Sequence, residues 1–233
     1  MVSKLIIRLA VATAVVGTPA IGATNKQLTI GITQEFENMN PIIAQMAATT
    51  YIYYTISRPL VSIDADWKWQ CWICTTLPTL ENGLAKNIDE GGVKKLVVDW
   101  EIIPGATWGD GTPVTGHDVK LSWQIGKADT VSVGEKDVYA RVESITIDPK
   151  NAKKFQMKFK EARYDYYQLG TFYIVPKHIE GPIWEKTKDQ TGAYEKQTAY
   201  STDSTNPGLY NGPFRITEIK LGSHVSVERN KHF

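Results

Sequence analysis

Residues 97–123 constrain the fold most tightly, because they combine an alternating strand, a chain reversal and the start of a helix. Val98, Trp100 and Ile102 share one face of an extended segment, since side chains in a strand alternate with a period of two. The Asp110-Gly111 pair predicts a turn, because glycine accepts positive φ without steric cost. The chain therefore contains a strand and a turn that bring a following helix back onto the sheet.

That helix is predicted over residues 115–128. Thr115 is a good N-cap residue, and Asp118 stands three residues later, where its carboxylate can bind back to the cap and favour the positive end of the helix dipole. Val119, Trp123 and Gly126 follow at helical spacing. A capped helix directly after a strand and a turn is typical of a mixed α/β fold.

The segment WGDGTPVTGHDV, residues 108–119, resembles the signature W-x-DGTP-(V/L)-T-A-x-DV of the peptide/nickel solute-binding proteins. These proteins are the extracytoplasmic receptors of ABC importers. Gly116 departs from the usual alanine, which weakens the helix start slightly. The resemblance implies an α/β lobe of the class II periplasmic-binding-protein type, with a mixed sheet, flanking helices and a β-hairpin subdomain. It indicates the fold and leaves the ligand open.

Residues 1–23 are typical of a secretory signal peptide. Lys4 and Arg8 form a positive region, residues 9–16 are apolar, and residues 17–23 are mostly small. The apolar run is far shorter than the ~20 residues that a membrane-spanning helix requires. No cysteine follows this run directly, which argues against a lipid anchor. We therefore expect a protein that is free in the periplasm, with a mature domain over residues 24–233.

Local patterns predict the other elements. Residues 27–33 alternate Leu28, Ile30 and Ile32 toward a core and predict a first strand. Residues 44–58 predict a helix that ends before Pro59, with Tyr51 and Tyr54 packed rather than lining a pocket. The remaining predictions are a strand at 60–63, a polar loop at 80–92, strand pairs at 139–147 with 154–159 and at 214–219 with 224–229, and short helices at 183–188 and 193–199.

The resemblance extends along the chain and implies the candidate ligand-binding residues. Residues 39–41 match a loop that enters the ligand cleft in the family, and residues 175–179, 211–214 and 225–230 match further family segments. A carboxylate in such a loop can meet a ligand ammonium, and an aromatic ring can cover ligand backbone. The residues that the resemblance places near a ligand are Glu35, Phe36, Glu37, Tyr139, Phe172 and Tyr173.

Cys71 and Cys74 are the only cysteines. A redox-active pair would require a helix N-terminus and a small turn between the thiols, and Trp72-Ile73 is a poor turn. A zinc site would require four ligands, and no second cysteine pair or close histidine pair exists. An oxidising compartment favours a structural disulfide between Cys71 and Cys74. We predict no metal site.

The function expected from the resemblance is capture of di- and oligopeptides in the periplasm and delivery to an inner-membrane ABC permease, without catalysis. Neither a G-x-S-x-G nor an H-E-x-x-H motif is present, and the four histidines are scattered. A formal net charge of +1 gives no indication of nucleic acid as a partner. We expect a monomer without a cofactor.

Three alternatives stay open at this point. The scaffold also serves oligosaccharides and nickel chelates, since fold does not fix the ligand. A carbohydrate-binding module would use Trp67, Trp69 and Trp72, and a secreted hydrolase is the remaining alternative. The resemblance covers only the N-terminal portion of the family's length, so we expect a truncated first lobe without its second lobe, and feeble peptide binding by this portion alone.

Overall fold

The computed structural model describes residues 27–36, 38–44 and 46–233. The signal peptide predicted over residues 1–23 lies outside the described residues, as does Glu37. Residues 32–233 form one compact unit, and residues 27–31 belong to a separate N-terminal unit. No helix in the described part of the chain combines the length and the apolar character that crossing a membrane would require.

Six helices and eight strands make up the regular structure of the described residues. In chain order they are α1 (Ala47–Ile56), β1 (Val61–Ile63), β2 (Trp69–Cys71), β3 (Ala85–Glu90), β4 (Val93–Glu101), α2 (Gly116–Gly126), α3 (Lys136–Ala140), β5 (Val142–Ile147), β6 (Lys154–Phe159), α4 (Lys177–Thr187), α5 (Ala193–Gln197), α6 (Ala199–Thr202), β7 (Phe214–Lys220) and β8 (His224–Arg229). A short 3-10 helix, Pro207–Leu209, precedes β7.

A four-stranded antiparallel sheet in the order β3-β4-β6-β5 forms the centre of the body. The predicted alternation is confirmed, because Val98, Trp100 and Ile102 are all buried. Val98 pairs with Met157 and Trp100 with Phe155, so two strands contribute apolar side chains to the same face. This face forms the core, and the opposite face carries charged side chains.

The helix predicted after the turn is confirmed as α2. Thr115 is its N-cap, and Asp118 completes the capping box by accepting from the Thr115 amide at 2.7 Å. The Trp123 indole N–H donates to the Val142 carbonyl at 3.1 Å and so ties α2 to β5. A Cβ at Gly126 would collide with the Tyr139 ring. Glycine is therefore required where α2 and α3 meet.

The DGTP signature joins α2 to α4. Asp118 also accepts from the Lys177 amide at 2.7 Å, and Asp110 lies 2.8 Å from the His178 ring nitrogen Nε2. The Lys153 ammonium donates to the carbonyls of Ile103, Ala106 and Val114 at 3.1–3.2 Å and holds the loop before α2. The polar residues of the signature therefore position elements of the fold.

Two predictions of secondary structure are wrong. Residues 27–32 have no regular structure, and Leu28 and Ile30 are exposed. None of the described strands pairs with this segment, and a strand without a partner leaves its backbone groups unpaired. The polar loop predicted at 80–92 contains β3, which pairs with β4 along its whole length.

Candidate functional site

An open aromatic pocket lies beside α1 and the disulfide loop. Its volume is about 440 Å³. The residues that line it come from α1, the β1–β2 hairpin and the segment before α4: Tyr54, Ser62, Ile63, Trp69, Trp72, Gly170 and Thr171. The Tyr54 and Trp72 rings meet edge to face, with centroids 6.2 Å apart. We call this site the aromatic pocket.

The predicted Cys71–Cys74 disulfide is present, and it closes the loop that carries Trp72. The amides of Trp72 and Ile73 both donate to the Leu60 carbonyl, at 3.0 and 3.3 Å. Ile73 is fully buried, whereas Trp72 is half-buried and faces the pocket. The short covalent loop therefore presents an indole to solvent while its neighbour anchors it in the core.

Tyr173 is half-buried and lies against α1, where its ring meets the buried Tyr53 ring at a centroid distance of 4.8 Å. Burial raises the pKa of Tyr173 to about 12, with smaller contributions from Tyr54 and Glu135. The phenol is therefore neutral at physiological pH. A neutral hydroxyl can both donate and accept a hydrogen bond, which suits a polar ligand group.

Two predicted ligand residues, Tyr139 and Phe172, are buried. Tyr139 is 1% exposed and Phe172 is 0% exposed, and their rings lie 4.6 Å apart. The Tyr139 hydroxyl donates to the Tyr173 carbonyl at 3.1 Å and accepts from the Tyr173 amide at 3.0 Å. In this arrangement both side chains are covered, and Tyr139 supports the backbone of Tyr173. Ligand contact by Tyr139 and Phe172 stays a prediction.

The predicted loop residues Glu35 and Phe36 lie apart from this pair. Glu35 is exposed, and its carboxylate accepts from the Gly222 amide in the β7–β8 turn. Phe36 is half-buried and packs on the core. Glu37 lies outside the described residues. Glu35 therefore lies on the surface with its carboxylate bound to a turn, whereas Phe36 is partly covered by the core.

Sequence reasoning missed Tyr54 because it assigned the wrong face of α1 to the core. The buried residues of this helix are Ala48, Thr49, Tyr53 and Ile56. Tyr51 is 61% exposed and Tyr54 is 45% exposed. The i, i+4, i+7 spacing of Thr49, Tyr53 and Ile56 is the signal that would have identified the buried stripe.

The histidines form no reactive cluster in the described part of the chain. His178 is bound to Asp110, as described above, and His117 is exposed on the first turn of α2. Within the described residues, no three or more His, Cys, Asp or Glu side chains are grouped so that they could hold a metal ion.

The four-stranded sheet with its flanking helices corresponds to part of the class II periplasmic-binding-protein fold. Residues 79–233 match the family model described as bacterial extracellular solute-binding proteins, family 5 Middle. The chain belongs to this family.

The names of several individual relatives refer to peptides. A probable peptide-binding protein, YejA of Agrobacterium fabrum, is 25% identical over 198 residues, which is 85% of this chain and 29% of the relative. The oligopeptide binding protein of Thermus thermophilus, solved with a pentapeptide, is 30% identical with a TM-score of 0.69, covering 84% of this chain and 35% of that one. AppA of Bacillus subtilis, solved with a nonapeptide, is 20% identical with a TM-score of 0.66, covering 85% and 35%. This chain thus spans about a third of the length of these proteins. All three relatives are named as peptide- or oligopeptide-binding proteins.

Proposed function

We propose that this chain contributes to a periplasmic receptor that captures di- and oligopeptides and delivers them to an inner-membrane ABC permease, with residues 1–23 as its secretory leader. The observation that carries the proposal is the aromatic pocket, which is lined by the exposed Tyr54 and the half-buried Trp72. Membership of family 5 and the peptide-binding names of its relatives support it.

The chemistry of the aromatic pocket suits a peptide side chain. Aromatic rings supply a large apolar contact area, and their faces and edges select the orientation of the group that enters. Ser62 and Thr171 add hydroxyl groups at the rim, and these can bond a peptide amide directly or through water. The site therefore favours a peptide with an aromatic or aliphatic side chain next to an unblocked backbone.

The predicted residues Glu35, Phe36 and Tyr173 complete the proposal as secondary contacts. The Glu35 carboxylate is exposed and can meet a ligand ammonium in exchange for the Gly222 amide. Capture is then a matter of binding and release, since ligand-stabilised conformations and not bond chemistry would signal to the permease. The receptor is proposed to act as a monomer.

Calorimetric titration of this chain with alanyl-phenylalanyl-alanine and with trialanine tests the proposal. We expect weak binding, because the aromatic pocket is open on one side, and we expect the phenylalanine peptide to bind more tightly. Trp72→Ala and Tyr54→Ala should each weaken that binding about tenfold, which corresponds to about 1.4 kcal/mol.

Tyr51→Ala is the matched control, because Tyr51 lies on the same helix, is exposed and does not line the pocket. Its affinity for the phenylalanine peptide should equal that of the parent. Equal binding of both peptides, or full binding by Trp72→Ala, would remove the aromatic pocket from the proposal.

A further inference from the structure

A second and larger groove lies on the far side of Trp69 from the aromatic pocket. It has a volume of about 940 Å³, near the upper end of the range of about 300–1,000 Å³ typical of ligand pockets. Five aromatic side chains line it: Trp67, Trp69, Tyr164, Tyr166 and Tyr167. Trp69 lines both sites. We call this second site the broad groove.

Two of these aromatic side chains are exposed to solvent. Trp67 is 84% exposed and Tyr164 is 99% exposed, whereas Tyr166 is buried at 5%. Trp69 and Tyr167 are half-buried and meet edge to face, with centroids 6.5 Å apart. The broad groove therefore has a packed aromatic floor and two free rings at its edge. Exposed rings grouped with other aromatic side chains in one groove mark a candidate interaction site.

The backbone at Trp67 has an unusual left-handed conformation, which is independent evidence that this position has a function. Among the described residues, Trp67 is the one non-glycine residue with positive φ, at 61°. It occupies the left-handed position of the β1–β2 turn, which glycine adopts without cost. Strained residues of this kind cluster at sites of function, where the surroundings hold them in place.

The turn around Trp67 is held firmly. The Trp67 amide donates to the Asp64 carbonyl at 3.1 Å, and the Asp64 amide donates to the Lys68 carbonyl at 2.9 Å. The Asp64 carboxylate also accepts from the Lys68 amide at 2.9 Å and from the Gln70 side chain at 2.9 Å. Four hydrogen bonds thus hold the turn whose backbone carries the indole.

The polar lining indicates what kind of ligand the broad groove takes. The lining carries side chains of both charges together with the amide of Asn87. The cations are Lys68, Lys94 and Arg163, and the anions are Glu81 and Asp89. With three cations and two anions, this lining carries little net charge, and it offers many hydrogen-bond donors and acceptors. Sugar rings combine flat C–H faces, which stack on aromatic rings, with hydroxyl groups that bond to such side chains.

We propose that the broad groove is a binding site for a short, neutral oligosaccharide, with Trp67 and Tyr164 as the stacking rings. This site is separate from the peptide site proposed above and does not depend on it. The ligand would lie along the aromatic floor, and the charged side chains would bond its hydroxyl groups.

Calorimetric titration of the full chain with chitotriose, cellotetraose and maltotetraose tests the proposal. We expect saturable binding of at least one of them. Trp67→Gly and Tyr164→Ala should each weaken it at least tenfold, whereas Trp72→Ala should leave it unchanged and weaken only peptide binding. The two proposals can therefore fail separately.

Trp67→Gly also separates binding from folding. Glycine relieves the left-handed backbone, so the Tm of the variant should equal or exceed that of the parent. A lower Tm would contradict the argument from strain. The absence of saturable binding for all three oligosaccharides at millimolar concentration, or undiminished binding in the variant that combines Trp67→Gly with Tyr164→Ala, would overturn the proposal.

Discussion

At the scale of single residues, the least expected feature is a buried carboxyl group. Glu180 in α4 is 0% exposed and accepts from the Tyr194 hydroxyl at 2.7 Å and from the Ala199 amide at 2.9 Å. The Thr198 hydroxyl donates to both of its oxygens at 3.0 Å. Asn40 in turn bonds Tyr194 and Thr198, so the segment before α1 is tied to α4 through this network.

The titration of Glu180 gives a testable pH dependence. Burial raises its pKa above the ordinary value of 4.5, and the three donors offset part of that rise. The folded chain then holds this proton more tightly than the unfolded chain. The stability contributed by the protonated group is fully present below about pH 4.5 and is lost as pH rises through the raised pKa.

Glu180→Gln isolates this effect, because the amide does not titrate. We expect the variant to be less stable by about 1–3 kcal/mol at low pH, since one acceptor to the donors is lost. The deficit should shrink as pH rises, which chemical denaturation at several pH values would measure. Glu185→Gln on the exposed side of α4 is the control and should change stability by less than about 0.5 kcal/mol. A deficit that grows with pH would contradict the raised pKa.

Only part of this residue-scale detail could be predicted from the sequence. The capping pair Thr115 and Asp118 was predictable because the partners are three residues apart. The burial of Tyr139 and Phe172 was not, because it depends on how α3 packs beside α2 and β5, which no local pattern encodes. The left-handed backbone of Trp67 was likewise hidden, since this conformation is one that glycine usually adopts.

At the scale of elements, α2 depends on its cap. The Thr115 hydroxyl accepts from the His117 amide at 3.3 Å and also contacts the Asp118 carboxylate at 3.1 Å. Thr115→Ala should therefore destabilise the fold by about 0.5–2 kcal/mol, as measured by urea denaturation. His117→Ala is a matched control on the same turn, and its effect should lie within about 0.5 kcal/mol. Equal losses in the two variants would argue against the cap.

Elements with strong local signals were predicted well, and weak ones were not. The strand pairs predicted at 139–147 with 154–159 and at 214–219 with 224–229 are confirmed as β5–β6 and β7–β8. The first strand begins later than predicted, at Val142, because Lys136–Ala140 form α3. β3 was missed because Ala85–Glu90 has few β-branched residues and lies at an edge, where one face stays exposed. The adjacent glycines Gly91 and Gly92, both with positive φ, mark a two-residue hairpin turn and were the overlooked signal.

At the scale of the whole molecule, the β7–β8 hairpin is joined to α1 by asparagine side chains. Asn211 accepts from the Arg58 amide at 2.8 Å and donates to the Arg58 carbonyl at 3.1 Å. The Asn230 side chain donates to the Gly212 carbonyl at 2.9 Å. Both asparagines are buried. The family segments around residues 211 and 230 therefore hold the hairpin against the end of α1, with Arg58 and Asn211 separated by 153 residues in the chain. A linear motif does not reveal this role.

Gly212 is the point where this contact is tightest. Its amide donates to the Ile56 carbonyl at 2.9 Å, and a Cβ there would lie 2.5 Å from the Ser57 nitrogen. Since neither backbone can move without breaking the asparagine bonds, Gly212→Ala should cost about 3 kcal/mol and lower the Tm by about 6–12 °C. Hydrogen exchange should show loss of protection in β7 and β8, while the four-stranded sheet keeps its protection.

Gly222→Ala in the β7–β8 turn is the control for this variant. Its φ of 71° makes alanine strained, but the space around it is open apart from the Glu35 carboxylate at 3.8 Å. We expect a cost of about 1–2 kcal/mol from the backbone alone, with the hairpin still protected from exchange next to α1. If the two variants lose the same protection, the hairpin is held by its own turn and not by the contact between Gly212 and α1.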